Sequence, residues 1–529
     1  MNTAEFLTIS SAMVPEREAL VSGETRETYA GMASRVNRLA NALQGLGVGR
    51  GTPVAVMAVN SPQYVETYYA CAKLGAIFVP LNYRAKREEL DYMVNASESQ
   101  VLFAGERYLD LLKELRPKFA GVREFVCFDP STSLRAGSKA EGMHAYAELI
   151  DGHPDDEVFT DIDENDTAIL MYTSGTTAQP KGVVLTHLTL SVYVMNTMNP
   201  ADPASEREVT LVSVPFYHVA GATAMMSSIW GGRTLAILPQ FEPESWLETV
   251  QREKVTHSFV VPTMLKRIME HPRFHEYDIS SLKLITYGAA PMPYEVVRRA
   301  VDVFHCGLMN AYGQTESTST LTYLGPEDHD IPKEEGPERE AKLRRLRSVG
   351  RAMEDVAIVI MDETNNIVAP GEEGEICVAG PRVMREYYKQ ADETAQAIVD
   401  GFLHTGDVGY LDEDSYLFIT GRKKDLIIRG GENISTGEIE EVLDLNPKID
   451  ESAVIGVPDE EWGEVVKAIC VLNPGDQATP EEIMAYCKER LASYKAPAYV
   501  AFVPELPRNP MGKVLKTELR KLYGEPKNG

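Results

Sequence analysis

Tyr172-Thr-Ser-Gly-Thr-Thr-Ala-Gln-Pro-Lys-Gly182 directly follows the apolar run Ala168-Ile-Leu-Met171 and packs hydroxyls, two glycines and one lysine into eleven positions. A strand that ends in such a loop predicts a phosphate cradle. Gly175 lets the backbone turn and present N–H donors, Thr173, Ser174, Thr176 and Thr177 supply hydroxyls, and Lys181 supplies positive charge. A P-loop also follows a strand, but in the order G-x-x-x-x-G-K-[ST]. Counted from Gly175, the sixth position here is Pro180, and Lys181 precedes Gly182. That order argues against a kinase or a P-loop ATPase.

Around this loop, helical and strand periodicities alternate. Val36, Leu39, Ala40 and Leu43 recur at helical spacing, the pattern stops at Gly45 and Gly47, and Val54 to Met57 reads as a buried strand. Helices are expected over 64–73 and near 87–94, and strands over 76–79 and 101–103. Downstream, 209–214, 234–238, 258–261 and 282–287 read as further strands with helices between. Short apolar strands separated by helices predict two parallel sheets covered on both faces. The acidic, turn-rich 151–166 reads as a surface connection, and the charged 326–347 as a solvated helix or mobile insertion. Strands near 356–361, 374–378 and 416–419 predict a β-rich unit. The segment after Gly421-Arg-Lys-Lys-Asp425 has strand and helix patterns of its own. No internal repeat or low-complexity tract is evident.

A chain of 529 residues needs several cores. Its formal net charge of -27 excludes nucleic acid and anionic membrane surfaces as general partners, while a polyanion still binds where backbone N–H groups, basic side chains or Mg2+ compensate locally. The six cysteines form no C-x-x-C pair or zinc-ligand spacing and read as scattered reduced thiols. The first residues lack a basic and then apolar leader, and no run approaches ~18 apolar residues, so no transmembrane segment and a cytoplasmic location are expected.

With the phosphate loop in hand, the sequence resembles the adenylate-forming superfamily of acyl-CoA synthetases, aryl-CoA ligases, firefly luciferase and peptide-synthetase adenylation domains. Further motifs occur in the same order at Pro215-Phe-Tyr-His-Val-Ala-Gly221, Tyr287-Gly-Ala-Ala-Pro291, Asn310-Ala-Tyr-Gly-Gln-Thr-Glu316, His404-Thr-Gly-Asp407, Gly421-Arg422 and Pro510-Met-Gly-Lys513. The resemblance implies an α/β fold in which residues 1–422 form a large adenylation domain, with two α/β sheet subdomains and a distorted β-barrel. Residues 423–529 form a small mobile α+β lid. It implies an acid–thiol ligase that joins a carboxylic acid to AMP and then passes the acyl group to coenzyme A.

The same resemblance assigns residues. Lys513, Thr173, Glu316 and His218 are the catalytic candidates, and Glu316 is the Mg2+ ligand. The ATP and AMP contacts are Thr173, Ser174, Gly175, Thr176, Thr177 and Lys181 in the loop, and Gly288, Ala289, Ala290, Pro291, Asn310, Ala311 and Tyr312 around adenine. Gly313, Thr315, Asp407, Arg422 and Lys513 complete them, with Thr315 at the α-phosphate and Asp407 on the ribose. Tyr217, His218, Gly221, Met225, Tyr287 and Gly288 neighbour the acid, with Met226 and Thr263 close by. Gly430, Gly431, Glu432 and Lys495 face coenzyme A, and Lys424 is the hinge.

Residue chemistry agrees with these roles. Glu316 offers hard oxygens, Asp407 is acceptor-only when ionised, and a carboxylate substrate is already a nucleophile, so His218 is not assigned as a general base. The mostly apolar pocket neighbours favour an apolar monocarboxylate over an amino acid, a medium- or long-chain fatty acid first and an aromatic or alicyclic acid second. Delivery to a carrier protein in trans, or oxidation in the luciferase manner, is the alternative second step. A homodimer is left open. A non-enzymatic scaffold fits poorly, because Thr173, Lys181, Glu316, Asp407, Arg422 and Lys513 are all present.

Overall fold

The computed structural model describes residues 1–128, 142–173, 179–430, 432–509 and 512–528, arranged in four sheets. In the first, the fully buried strand Pro53–Met57 lies between Ile77–Pro80 and Val101–Gly105, all parallel. The helix Pro62–Leu74 follows it closely. Ser61 accepts the Tyr64 N–H at the start, Pro62 occupies the first turn, and Gly75 at φ +66° ends it. The sheet then runs through Thr167–Thr173, which pairs antiparallel with Lys181–Thr186, so the phosphate-loop sequence connects two neighbouring strands rather than a strand and a helix.

The second sheet has nine strands, with a parallel centre from Thr234–Ile237 through Val209–Val212, His257–Val260 and Leu284–Gly288 to Gly307–Gln314. One edge is supplied by the chain's own beginning. Glu18–Ser22 pairs parallel with Thr234–Ile237, and Thr25–Thr28 folds back on it. The sequence pattern had not assigned this hairpin, whose strands span only five and four residues. The expected β-rich unit is a five-stranded sheet containing Ala357–Met361, Gly374–Ala379, Phe402–Leu411 and Leu417–Arg422. The last sheet, from Ile427–Arg429 to Tyr499–Phe502, is built around the long hairpin of Ile449–Asp459 with Gly463–Leu472.

The apolar packing divides along the same line. Two buried clusters draw only on residues from Ile427 onward, and the others only on residues up to Ile419. The acidic connection is pinned to the surface, with Asn41 Nδ2 donating to the Pro154 and Asp156 carbonyls and Glu157 paired to Lys73 at 2.9 Å. The charged stretch forms the helix Pro337–Arg345, which buries no residue and is tethered by Lys342 to the carbonyls of Glu327 and Asp330.

One buried side chain joins the two large sheets where the site forms. Asn60, beyond the C-terminal end of Pro53–Met57, donates to the Val214 carbonyl at 2.9 Å and accepts the Phe216 N–H at 2.8 Å. It thereby fixes the turn that leads to His218. Asn60→Ala orphans a buried carbonyl and a buried N–H, each worth about 1–3 kcal/mol. It is expected to lower the thermal midpoint and, with the acid and ATP that the resemblance implies as substrates, to raise KM for the acid more than KM for ATP. Equal effects on both KM values would show that the clamp does not act on this turn.

Candidate active site

The motifs that are far apart in sequence meet at the C-terminal ends of the second sheet's strands, where ligands bind in open α/β sheets. Leu284–Gly288 and Gly307–Gln314 are neighbours with Gly288 opposite Ala311. A Cβ on Gly288 would stand 2.1 Å from the Ala311 carbonyl oxygen, so the strands approach this closely only with glycine there. Ala289 follows at φ +65° and turns Ala290 and Pro291 away from the sheet. Tyr312 donates its hydroxyl to Asp407 Oδ2 at 2.8 Å, and Arg422 Nε meets Asp407 Oδ1 at 2.6 Å. Asp407 and Arg422 face each other across the antiparallel pair Phe402–Leu411 and Leu417–Arg422, which explains their proximity. Asn310, Ala311, Tyr312, Asp407 and Arg422 therefore form one wall.

The phosphate side is built from three separate segments. Thr173 and Lys181 are cross-strand partners on the antiparallel pair; Ser174, Gly175, Thr176 and Thr177 lie outside the described residues. Lys181 Nζ sits 4.8 Å from the centroid of the Tyr387 ring, and the Tyr387 hydroxyl donates to Glu316 Oε1 at 3.0 Å. Glu316 belongs to the short 3-10 turn Thr315–Ser317, after which Thr318 and Ser319 take φ of +52° and +78°. Gly313 allows that reversal, since its Cβ would lie 1.7 Å from the Ser319 carbonyl oxygen. Glu316 Oε2 has no hydrogen-bond partner among the described residues, so a hard oxygen is left free, which fits Mg2+ on a polyphosphate. Tyr387 was not foreseen, because a tyrosine in Arg385-Glu-Tyr-Tyr-Lys389 matches no phosphate-binding pattern.

Lys513 reaches this site from the C-terminal unit. Its backbone N–H donates to Asn509 Oδ1 and its carbonyl accepts from the Asn509 N–H, both at 2.9 Å. Gly512 at φ +75° lies so close to the large unit that a Cβ there would stand 2.5 Å from Thr263 Oγ1. Lys266 and Asp450 add an ion pair at 2.5 Å across the same junction. Desolvation, with the Arg422 guanidinium second, pushes the Lys513 pKa down to about 8, while Asp407 opposes it. Desolvation pushes His218 down to about 4, with the Lys513 ammonium adding to the effect, so the imidazole is neutral and a weak base at pH 7. Lys513, His218, Asp407 and Arg422 thus share one electrostatic environment.

Near His218, the Tyr217 ring meets Tyr83 edge-on at 5.3 Å, and its buried hydroxyl has no hydrogen-bond partner among the described residues. Gly221 lets the helix Val219–Trp230 start against Pro215, where a Cβ would come within 2.2 Å of a carbonyl oxygen. Met225 is buried on that helix. Tyr287 differs from expectation: it is fully buried and its hydroxyl bonds His329 Nε2 at 2.8 Å, so it contributes packing.

The residues expected to face coenzyme A make other contacts. Gly430, at φ +60°, directly follows Arg429, the cross-strand partner of Glu432, and donates its N–H to the Trp462 carbonyl at 2.8 Å. Gly431 lies outside the described residues, and Glu432 is exposed. Lys495, expected at a coenzyme A phosphate, is paired instead with Glu438 at 2.6 Å. Lys424, in the short turn Lys423–Asp425 between the two units, is exposed yet near enough to Arg422, Asp407 and Lys513 to share their electrostatic environment. The six cysteines are all free thiols, and one of them, Cys377, lies with Glu375 and His404, their ligand atoms all within 4.8 Å. Lys423 already occupies Glu375 at 3.0 Å, and burial pushes the Cys377 thiol up to about 12, so the trio is a filled hydrogen-bond network.

The comparisons with known proteins decide the family. Residues 7–388 match the AMP-binding enzyme family and residues 438–513 match the AMP-binding enzyme C-terminal domain. The chain belongs to the AMP-binding enzymes. It is 35% identical over 514 residues to a feruloyl-CoA synthase from Amycolatopsis sp, covering 97% of both chains. It is 33% identical to the indoleacetate–CoA ligase of Aromatoleum aromaticum, covering 99% of this chain and 98% of the relative. Among solved structures it resembles the Mycobacterium tuberculosis fatty acyl CoA synthetase, with a TM-score of 0.77, 31% identity and 99% of each chain covered. ATP-dependent CoA ligases of this family use ATP, Mg2+ and coenzyme A. No helix among the described residues is long and apolar enough to cross a membrane.

Gly512 gives this AMP-binding enzyme a sharp test of the docked position. Gly512→Val meets both the positive φ and the Thr263 hydroxyl, so the Lys513 loop is expected to leave its seat. Acid-dependent pyrophosphate release should then fall about tenfold or more, while conversion of supplied acyl-AMP with coenzyme A is retained. Adding Thr263→Ala should restore part of the first activity. A Gly512→Val enzyme with normal pyrophosphate release would show that this contact is dispensable.

Proposed function

We propose that this AMP-binding enzyme is an AMP-forming acid–thiol ligase for an apolar monocarboxylic acid, with coenzyme A as acceptor. The observation that carries the reading is the convergence of Lys513 from the C-terminal unit with His218, Asp407 and Arg422 from the large one. In the first step the carboxylate attacks the α-phosphorus, and the bond to the pyrophosphate leaving group breaks. Negative charge gathers there, and the Lys513 ammonium offsets it where water is largely excluded. Asp407 accepts the ribose hydroxyls on the lone pairs that Tyr312 and Arg422 leave free. Glu316 would hold Mg2+, which when bound neutralises phosphate charge and orients the leaving group. Neutral His218 borders the acid without deprotonating it.

In the second step the unit beginning at residue 423 turns about Lys424, Lys513 withdraws, and the Gly430 turn faces the acyl group to admit a thiol. The thiol displaces AMP. Separate apolar cores on either side of residues 420–426 support such a rigid-body turn.

For the acid, the buried Tyr217 hydroxyl and its edge-on contact with Tyr83 support an aryl or arylalkanoic acid. Aromatic edges pair well with a flat ring, and an unpaired hydroxyl favours a substrate carrying a polar group. The feruloyl and indoleacetate relatives support the same choice. The fatty acid placed first by the sequence is the second reading, supported by buried Met225 and by the mycobacterial structure.

A panel of acids with ATP and Mg2+, followed by pyrophosphate release, tests the proposal. The expected order is aryl and arylalkanoic acids, then fatty acids, with free amino acids inactive. Thioester formation with free coenzyme A should accompany release. Activity confined to amino acids, or product formed only on a carrier protein, would overturn it.

A further inference from the structure

Lys181 and Glu316 stand on either side of one tyrosine. Lys181 Nζ lies 4.8 Å from the centroid of the Tyr387 ring, the Tyr387 hydroxyl holds Glu316 Oε1 at 3.0 Å, and Lys181 and Glu316 form no ion pair with each other among the described residues. An ammonium and a carboxylate that share one neighbouring side chain are candidates to pair and cancel, and here each contacts the tyrosine instead. Tyr387 is 91% buried, since only 9% of its surface is exposed, so its hydroxyl–carboxylate bond forms where charge-assisted hydrogen bonds are strong.

The backbone around Tyr387 is stitched to both halves of the phosphate site. On one side the Met384 N–H donates to the Glu316 carbonyl at 2.7 Å, and Thr318 Oγ1 donates to the Arg382 carbonyl at 2.7 Å. The fully buried Arg382 returns a bond to the Thr320 carbonyl at 2.8 Å. On the other side the Tyr388 N–H donates to the Gly182 carbonyl at 2.7 Å, and the Val184 N–H donates to the Glu386 carbonyl at 3.0 Å. Residues 382–388 therefore tie the strained Thr315–Ser319 turn to the strand pair flanking the phosphate loop, and Tyr387 is the side chain that lies between them.

We propose that Tyr387 is a positioning residue of the nucleotide site: its hydroxyl holds one oxygen of Glu316 and leaves the other to the metal, while its ring keeps the Lys181 ammonium from closing onto the same carboxylate. The proposal rests on the assignment of Glu316 and Lys181 to MgATP. It adds that the two are kept available by a spacer that neither motif contains. Outer-sphere partners of metal-binding carboxylates commonly change metal affinity about 10- to 100-fold when removed.

Two substitutions in the full-length enzyme separate hydroxyl from ring, with Mn2+ as the metal probe followed by its electron paramagnetic resonance signal in the presence of ATP. Tyr387→Phe keeps the ring and loses the hydroxyl. It should weaken Mn2+ binding in the ATP complex about tenfold or more, and leave calorimetric ATP affinity in EDTA unchanged in a protein that remains folded. Tyr387→Leu loses both, lets Lys181 pair with Glu316, and should also weaken metal-free ATP binding. Wild-type Mn2+ affinity in the Phe variant, or equal loss of both affinities in the two variants, would overturn the proposal. A wild-type enzyme that binds ATP without binding Mn2+ would instead sink the metal assignment, and the proposal with it. Acid-dependent pyrophosphate release by the wild-type enzyme keeps the ligase reading distinct from both outcomes.

Discussion

The arrangement on which the rest of the site depends is the placing of Lys513 beside Arg422 and Lys424, in a chain whose overall charge is strongly negative. Like charges held together in a desolvated place oppose folding until an anion arrives, and the Lys513 pKa records that opposition. The folded protein holds this proton less tightly than an unfolded lysine does. Between about pH 8 and the ordinary lysine range, the unfolded chain therefore binds more protons at this position, and rising pH favours the folded form. A bound polyphosphate reverses the balance by giving the ammonium a partner. The penalty in the free enzyme thus becomes selectivity for an anionic ligand, without a large basic surface that would attract nucleic acid.

Asp407 makes the arrangement tolerable. Tyr312 and Arg422 occupy one lone pair on each of its oxygens, and its charge opposes the repulsion felt by Lys513. The strands carrying Asp407 and Arg422 belong to the antiparallel sheet, Tyr312 belongs to the nine-stranded sheet, and Lys513 belongs to the C-terminal unit. A small displacement of any of them therefore changes the electrostatics of the others. The close-approach glycines at 288 and 313 fix strand packing within the nine-stranded sheet, and the Asn60 clamp ties that sheet to the first one.

Much of this was legible in the sequence, for physical reasons. Buried parallel strands must be nearly all apolar, so Pro53–Met57 and Val209–Val212 announced themselves. The motifs are local clusters of chemistry that a sequence displays directly, and the fold brings Tyr312, Asp407, Arg422, His218 and Lys513 into one neighbourhood. What stayed hidden depends on pairing at a distance. Glu18–Ser22 is a short strand whose partner lies more than two hundred residues away. Tyr387, Asn60 and the Glu375, Cys377 and His404 trio acquire their roles only from neighbours on other elements. Lys495 shows the opposite failure, in that a cation suited to a phosphate found a nearer carboxylate in Glu438.

The central claim is that one lysine from the C-terminal unit serves the first half-reaction and then leaves. Lys513→Ala separates the halves most directly, with acid-dependent pyrophosphate release measured for the first and conversion of supplied acyl-AMP to acyl-CoA for the second. Removing the ammonium should slow the first by about 10²-fold or more, the scale of one lost preorganised charge contact. The second should stay within a few-fold of the unmodified enzyme. Equal losses in both half-reactions, in a protein that remains folded, would contradict the account.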